Sequence, residues 1–316
     1  MSDSRRVMTS RLLTSLLAAA TLAAPAFADA GVKAVERAFL ERAAMTASDK
    51  NCNLFTDGER LALKAGLYQS EGELLRAGKD PQEIADITEE VRAHAKSLGC
   101  SHPSVMEVAA TIRSSYRVFA KTTSLDYAAK NSTWETSRSK HDAWSVKQTD
   151  KKTGVIIGMR REDPEKPEEF TFAIAVPYDD KPSSIVQLSL RDAKKMPDPW
   201  LGKLLSPKGG MQPPARSVSR PEWAGKMIEW EDNVGDWYNV YFLSKSAVER
   251  LEMLDPREAI EVELTPNAHA KVQTLKKIVF EIGDFRAARA FAMIPAPVYA
   301  AAAEAAPAEA PKGGHH

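Results

Sequence analysis

Cys52 and Cys100 are the only two cysteines in the chain, and the residues between them have the pattern of helices. The stretch 56–59 matches a capping box that opens one helix, and Asp80-Pro81 is typical of the start of the next. Antiparallel helices of similar length bring their distant ends together, which is the geometry that a disulfide requires. We therefore predict a disulfide between Cys52 and Cys100; the alternative is two separate buried thiols.

The N-terminal residues predict a secretory signal peptide over 1–28. Arginines precede an uncharged apolar run over 12–24, and small residues follow at Ala26 and Ala28. The run is shorter than the roughly 20 residues needed to span a bilayer, and an uncleaved anchor is the alternative. Cleavage is expected between Ala28 and Asp29, which places the mature chain in the periplasm or outside the cell. Two cysteines in such an oxidising space are usually paired.

The charge of the chain is balanced, with Lys+Arg and Asp+Glu at 43 each. That balance gives no electrostatic basis for binding nucleic acid or an anionic membrane. No apolar run after the signal peptide reaches spanning length, so no membrane span is expected after cleavage. The two cysteines are far apart and have no histidine pattern nearby, so neither a metal site nor a cofactor is predicted.

An antiparallel helical bundle is predicted for residues 29–130. Apolar residues recur there at intervals of three and four, and the first such segment covers 29–48. The next two helices are expected over 56–77 and 80–99, each ended by a glycine. A fourth helix is expected over 103–130.

A mostly antiparallel β-sandwich-like module is predicted for residues 131–294. Apolar residues alternate there with polar ones, in short runs separated by turn-rich segments. The proline-rich segment 196–221 is expected to be a long ordered loop or a flap. The stretch 246–249 matches a capping box before a short helix, and Asp284 is expected to cap a closing helix over 285–293.

Two remaining segments are predicted to lack regular structure. The charged segment 163–169 is expected to join two strands. The tail, 295–316, consists largely of Ala, Pro and Glu, cannot bury a core and is expected to be disordered. The predicted fold class is therefore α+β: an N-terminal antiparallel helical bundle, then a mostly antiparallel β-sandwich-like module with a short closing helix.

Two stretches carry resemblances to known proteins. Cys-Asn-Leu-Phe at 52–55, with Gly99-Cys100, resembles uncharacterised exported bacterial proteins. The second half is similar to the invasion-associated locus B family of exported bacterial β-sandwich proteins in four stretches: 144–146, 173–177, 188–192 and 282–288. That family usually carries cysteines in this half, and this chain has none after Cys100. The resemblance implies a β-sandwich, a general role at the cell envelope and no catalytic residues.

Two short motifs found in serine enzymes are present, but their positions do not fit that chemistry. Residues 137–140 fit S-x-x-K and residues 152–154 fit K-T-G, yet that chemistry needs the serine at a helix start and K-T-G on a distant strand. Adjacent residues in a strand point to opposite faces, which separates His141 from Asp142. No catalytic residue is predicted. A hydrolase would require His141 or His269 to meet a serine and a carboxylate in a cleft.

The predicted binding surface is a group of five aromatic residues. Trp223, Trp230, Trp237, Tyr238 and Tyr241 follow the proline-rich segment, and if exposed they would form a groove for a peptide or a glycan. The alternative is that they fill the core of a sandwich. Because Trp237 and Tyr238 are adjacent, at least one of them should face outward.

These observations favour an exported, non-enzymatic binding or envelope-accessory protein whose partner is another envelope protein or a glycan. One alternative is a hydrolase of unfamiliar type that acts on envelope material. The other is a structural protein whose helices and tail mediate oligomerisation. A catalytic cluster in a cleft would favour the first alternative, and a change in mass on tail deletion, measured by light scattering, would favour the second.

Overall fold

The computed structural model describes residues 31–163, 169–179, 182–201, 212–266 and 275–295. The predicted signal peptide, the tail after residue 295 and the middle parts of the charged and proline-rich segments lie outside these ranges. The helices in the described residues are α1 Val32–Cys52, α2 Asp57–Arg76, α3 Pro81–Leu98, α4 Pro103–Phe119, α5 Lys245–Glu252 and α6 Phe285–Ala292. The strands are β1 Ser124–Ala128, β2 Thr133–Ser137, β3 Trp144–Thr149, β4 Ile156–Arg161, β5 Phe170–Pro177, β6 Ile185–Arg191, β7 Ser219–Trp223, β8 Lys226–Glu231, β9 Trp237–Phe242, β10 Ala259–Thr265 and β11 Lys276–Glu281.

The predicted α+β class, with helices first and antiparallel sheets after them, is confirmed. One sheet has seven strands in the order β1-β2-β3-β4-β5-β9-β8, and the other has four in the order β11-β10-β6-β7. The inner face of each sheet contributes to one apolar cluster, as in a β-sandwich. That cluster includes Val146, Ile157, Phe172 and Ile174 from the large sheet and Leu188, Ile260 and Val262 from the small one.

The helix α1 lies at the centre of the helical part and packs against both α2 and α3. Val35 and Phe39 of α1 are buried with Leu74 and Leu75 of α2 and Ile84 of α3. The two helices between the cysteines therefore pack chiefly against α1 and not, as the sequence pattern indicated, against each other. The reason is that α1 is long enough to offer apolar side chains to both of them.

The predicted starts of α2 and α3 and the predicted disulfide are confirmed. The Thr56 hydroxyl accepts a hydrogen bond from the Glu59 amide, and the Glu59 carboxylate accepts one from the Thr56 amide. Asp80 caps α3 by accepting the amide two residues further on. Cys52 at the end of α1 is bonded to Cys100 in the turn after α3, with a Cα–Cα distance of 5.4 Å.

The fourth helix is shorter than predicted. It ends at Phe119 instead of continuing to residue 130, because the chain turns and enters β1, where Tyr127 points into the core. The guanidinium of Arg138 donates to carbonyl oxygens just after the helix, including that of Thr122 at 2.7 Å. The last carbonyl groups of α4 accept backbone amides from residues 120–122, and Arg138 binds carbonyl groups of the turn that follows.

The proline-rich segment is more ordered at its end than predicted. Residues 219–223 form β7, and Pro221 lies within this strand opposite Ser189 of β6. Proline is tolerated there because β7 is the edge strand of the small sheet, where one side of the strand has no neighbour to bond. The prediction of no regular element over 196–221 is therefore wrong for the last residues.

The predicted capping box at 246–249 is also wrong. The helix α5 begins at Lys245, with Ser244 in the N-cap position, so Ser246 already lies inside the helix. The Ser246 hydroxyl accepts a hydrogen bond from the Arg250 guanidinium at 2.7 Å, one helical turn further on.

Asp284 joins the helical part to the sandwich. It precedes α6 as predicted, but its side chain makes no cap hydrogen bond. Its carboxylate instead accepts two hydrogen bonds from Arg76 of α2, at 2.6 and 2.8 Å. Gly72 makes this approach possible, since a Cβ at that position would lie 2.0 Å from the Asp284 carboxylate.

Candidate functional site

A cavity of about 970 Å³ opens at one end of the sandwich. The turn between β2 and β3 forms one wall, the facing ends of β4 and β5 form another, and α5 with the end of α6 closes the third side. Apolar side chains that line it include Met159, Phe170, Val248 and Ile294. This volume lies at the upper end of the range that binding clefts for small molecules occupy.

Two buried arginines contribute to the lining of this cavity. Arg138 donates to the carbonyl oxygen of Ile294 at 3.1 Å, and its guanidinium carbon lies 5.3 Å from the ring centroid of Phe291. Arg161 donates to the carbonyl oxygen of Lys140 at 2.9 Å and lies 5.2 Å from the ring centroid of Phe170. Both arginines therefore hold surrounding backbone and rings in place as well as facing the cavity.

The rim of the cavity carries side chains of both charges. Among the described residues, neither Lys140 nor Lys245 takes part in an ion pair, and both are exposed. Arg289 is paired with Glu252 at 2.5 Å. The cationic lining residues are Arg138, Lys140, Arg161, Lys226, Lys245 and Arg289, and the acidic ones are Glu162, Asp163, Glu169 and Glu249.

The serine-enzyme motifs do not assemble in this structure. Residues 137–140 are the last residue of β2 and the turn that follows it, whereas 152–154 lie in the turn at the opposite end of β3. The Ser137 hydroxyl donates to the Asp142 carboxylate at 2.5 Å, and the exposed His141 ring takes part in no hydrogen bond among the described residues. His269, the other candidate base, lies outside the described residues.

The five predicted aromatic residues are divided among separate surfaces. Tyr241 is buried in the core, where burial raises its pKa to about 12. Trp223 is exposed on β7 in the small sheet, and Trp237 is exposed at the start of β9, where it contacts the ring of Tyr178. Of the five, only Trp230 and Tyr238 have rings that contact each other, so the five residues do not form one groove.

Trp230 and Tyr238 belong to an aromatic cluster on the outer face of the large sheet, the face turned away from the small sheet. They are cross-strand partners, and their ring centroids lie 5.5 Å apart. Trp144 of β3 meets Trp230 with centroids 6.4 Å apart, although three strands separate them in the sheet. The same face of the sheet carries the small residues Ala173 and Ala175 of β5.

Gly158 is required for the geometry of this face. A Cβ there would lie 2.0 Å from the carbonyl oxygen of Val146, and the residue has a φ of +152°. The pairing of β3 with β4 is irregular beside it, between Trp144 and Val146. Because of this irregularity, the cross-strand partner of Trp144 is Arg160.

Arg160 lies at the centre of the aromatic cluster, which we call the Arg160 cluster and define as Arg160, Trp144, Trp230, Tyr238 and Phe242. The guanidinium carbon lies 4.8 Å from the ring centroid of Trp230, 5.8 Å from that of Trp144 and 5.9 Å from that of Phe242. Only 4% of the residue is exposed. Sequence reasoning missed Arg160, because an arginine in a strand is ordinarily a solvent-facing residue.

The buried charge of Arg160 has no acidic partner among the described residues. Burial, together with the smaller effect of the neighbouring Arg161, lowers the pKa of Arg160 to about 10. The guanidinium donates to the carbonyl oxygen of Arg161 at 3.1 Å, while its Nε is buried without a hydrogen-bond partner. The indole Nε1 of Trp144 is likewise buried and unpartnered.

Two further searches of the described residues gave negative findings. No cluster of three or more His, Cys, Asp or Glu side chains is arranged to hold a metal ion. None of the described helices combines the length and the apolar character needed to cross a membrane.

The chain was compared with models of protein families, with curated proteins and with solved structures, and no match was found in any of the three comparisons. The geometry of the cavity and of the Arg160 cluster therefore carries the functional inference.

Proposed function

We propose that this protein is an exported, non-enzymatic binding protein of the cell envelope, and that the cavity at the end of the sandwich holds its ligand. The observation that carries this proposal is the cavity itself, with about 970 Å³ of space between an apolar lining and a charged rim. Such a combination is typical of ligand clefts, in which apolar surface gives affinity and a few polar groups fix the orientation.

The proposal that the protein is exported is supported by two features. The first is the signal-peptide pattern of residues 1–28. The second is the bond between Cys52 and Cys100, because disulfides persist in oxidising spaces such as the periplasm. N-terminal sequencing of the mature protein tests this part: a start at Asp29 supports it, and a retained Met1 contradicts it.

The lining favours a short glycan or peptide as the ligand. Three serines, at 137, 139 and 145, line the cavity together with side chains of both charges. Hydroxyl-rich and amide-rich ligands need donors and acceptors of both kinds. The apolar part, with Met159 and Val248, offers surface to the sugar faces or apolar side chains of such a ligand.

The experiment is photo-crosslinking in intact cells. A photoreactive residue replaces Met293, which is exposed and lines the cavity, and in a control protein it replaces Val118, which is exposed on α4. We expect a glycan or peptide adduct, identified by mass spectrometry, only from position 293. Identical adducts from both positions, or none from position 293, would contradict the proposal.

A cavity-filling variant sharpens this experiment. Ala292→Trp places a large ring in the cavity, while Ala110→Trp makes the same exchange on the exposed face of α4. The adduct from position 293 should disappear in the first variant and persist in the second. Persistence in both folded variants would mean that the crosslinked molecule does not occupy the cavity.

A further inference from the structure

The Arg160 cluster contains two buried donors without acceptors in one place. Arg160 and Trp144 are directly opposed on β4 and β3, and the guanidinium lies 5.8 Å from the Trp144 ring. Arg160 Nε and Trp144 Nε1 are both buried and unpartnered. A buried donor without an acceptor is unfavourable, and more so if it carries charge.

The charge balance of this cluster is also incomplete. Glu162, just beyond the end of β4, is already paired with Lys226 at 2.8 Å. No described acidic side chain forms an ion pair with Arg160. An acceptor with one negative charge would supply both the missing hydrogen bonds and the missing charge.

We propose that Arg160 and Trp144 form a binding site for the carboxylate of a flat or aromatic ligand, whose body stacks among Trp230, Tyr238 and Phe242. One guanidinium and one indole N–H fit the two oxygens of a carboxylate. The aromatic rings around Arg160 offer faces for a planar group to stack on. This site is distinct from the cavity, and it does not depend on the function proposed for the cavity.

Trp230 is the side chain that gives access to this site. It lies on β8, which is the outermost strand of the large sheet, and it is only half-buried. Its indole covers the guanidinium at 4.8 Å. A ligand carboxylate reaches Arg160 once this ring moves aside, and the displaced indole then stacks on the body of the ligand.

The test uses benzoate as the probe and benzamide as its neutral counterpart. In ¹⁵N-labelled protein each tryptophan gives one indole N–H resonance, and the resonance of Trp144 is the one absent from Trp144→Phe. We expect benzoate to shift the Trp144 resonance in a saturable manner. Benzamide should bind at least about tenfold more weakly, since it cannot supply the charge-assisted hydrogen bond.

Arg160→Met is the decisive variant, and Arg216→Met is its control, because Arg216 is an exposed arginine of the small-sheet region. Benzoate affinity should fall at least about tenfold in the first and remain unchanged in the second. Equal affinity in both folded variants, equal binding of benzamide, or the absence of any shift with benzoate would overturn the proposal.

A second variant keeps the test decisive if Arg160→Met does not fold. Trp144→Phe retains an aromatic ring and removes the indole N–H. Its benzoate affinity, measured by calorimetry, should fall about threefold or more, as expected for loss of one hydrogen bond. An unchanged affinity would overturn the assignment of Trp144 as a donor. Because the cavity experiment uses positions 292 and 293, its failure is distinguishable from failure here.

Discussion

Each of the two sheets buries an arginine near the end of a strand, and the two arginines have very different interaction partners. Arg191 of β6, in the small sheet, donates to both carboxylate oxygens of Glu258 at 2.7 and 3.1 Å. It also donates to the carbonyl oxygens of Met196 and Pro197. Arg160 of β4, in the large sheet, is equally buried but is surrounded by three aromatic rings and one carbonyl group.

This difference indicates that Arg191 stabilises the fold, whereas Arg160 is not needed for folding. Arg191 and Glu258 together hold the start of the proline-rich segment, since the Glu258 carboxylate also accepts the amide of Trp200 at 3.0 Å. Arg160 contacts aromatic rings, makes one hydrogen bond to the carbonyl oxygen of its neighbour Arg161, and has no acidic partner among the described residues. A buried charge without a partner lowers stability, so its presence is better explained by a ligand than by folding.

The largest effect is expected when the Arg191 pair is broken. Glu258→Ala leaves the guanidinium of Arg191 buried and unpaired, which should lower the free energy of unfolding by about 3–5 kcal/mol. Urea unfolding measures this loss. The control Glu229→Ala, an exposed position on β8, should change stability by less than about 0.5 kcal/mol. A loss below about 1 kcal/mol for Glu258→Ala would remove the distinction between the two arginines.

A comparable loss is expected at the junction of the helices with the sandwich. Arg76→Met leaves the Asp284 carboxylate, whose side chain is fully buried, without its cation and should cost about 3 kcal/mol. The double variant Arg76→Met, Asp284→Asn removes both charges and should recover part of that loss. A double variant no more stable than the single one would show that the charge of Asp284 is not the cause.

The pH dependence of stability tests the same carboxylate. Burial raises the pKa of Asp284 to about 6, although Arg76 opposes the shift. The folded protein therefore binds this proton more tightly than the unfolded chain, in which the pKa is near 3.8. Its contribution to stability grows as the pH falls through about 6 and levels off below about 4.

Asp284→Asn removes this contribution. The difference in unfolding free energy between the wild type and Asp284→Asn should be larger at about pH 5 than at about pH 7.5, by about 1.4 kcal/mol. Urea unfolding at both pH values measures it. A difference that is larger at the higher pH would mean that Arg76 outweighs burial and that the pKa of Asp284 is lowered.

The smallest effect is expected beside the Arg160 cluster. Lys226 and Glu162 form an ion pair at 2.8 Å in which both side chains are substantially exposed. Lys226→Met should therefore change the free energy of unfolding by less than about 1 kcal/mol. A larger loss would show that this pair, and not the aromatic rings, holds the outer face together.

The elements that follow from local chemistry could be predicted from the sequence. Thr56 and Glu59 form the predicted capping box, Asp80 caps α3, and Cys52 is bonded to Cys100. Each depends on residues near one another in the chain, or on a pair of cysteines with no other candidates. The end of α4 at residue 119 was missed because the start of β1 depends on its pairing with β2 and on the burial of Tyr127 in the core.

The candidate sites depend on how the strands pair with one another, and the local sequence pattern does not predict that pairing. Arg160 becomes buried only because the irregular pairing at residue 145 places Trp144 opposite it and because Trp230 reaches across three strands. The cavity likewise depends on where α5 and α6 meet the ends of β4 and β5. Of the five aromatic residues named from the sequence, Trp230 and Tyr238 lie in the Arg160 cluster.

The central claim, that the fold needs Arg191 but not Arg160, is tested most directly by urea unfolding of Arg191→Met and Arg160→Met side by side. Arg191→Met should lose about 3–5 kcal/mol, because it leaves Glu258 buried and unpaired. Arg160→Met should lose less than about 1 kcal/mol or gain stability, since methionine keeps contact with the aromatic rings and removes an unpaired charge. Equal losses in the two variants would contradict the claim and make Arg160 a structural residue.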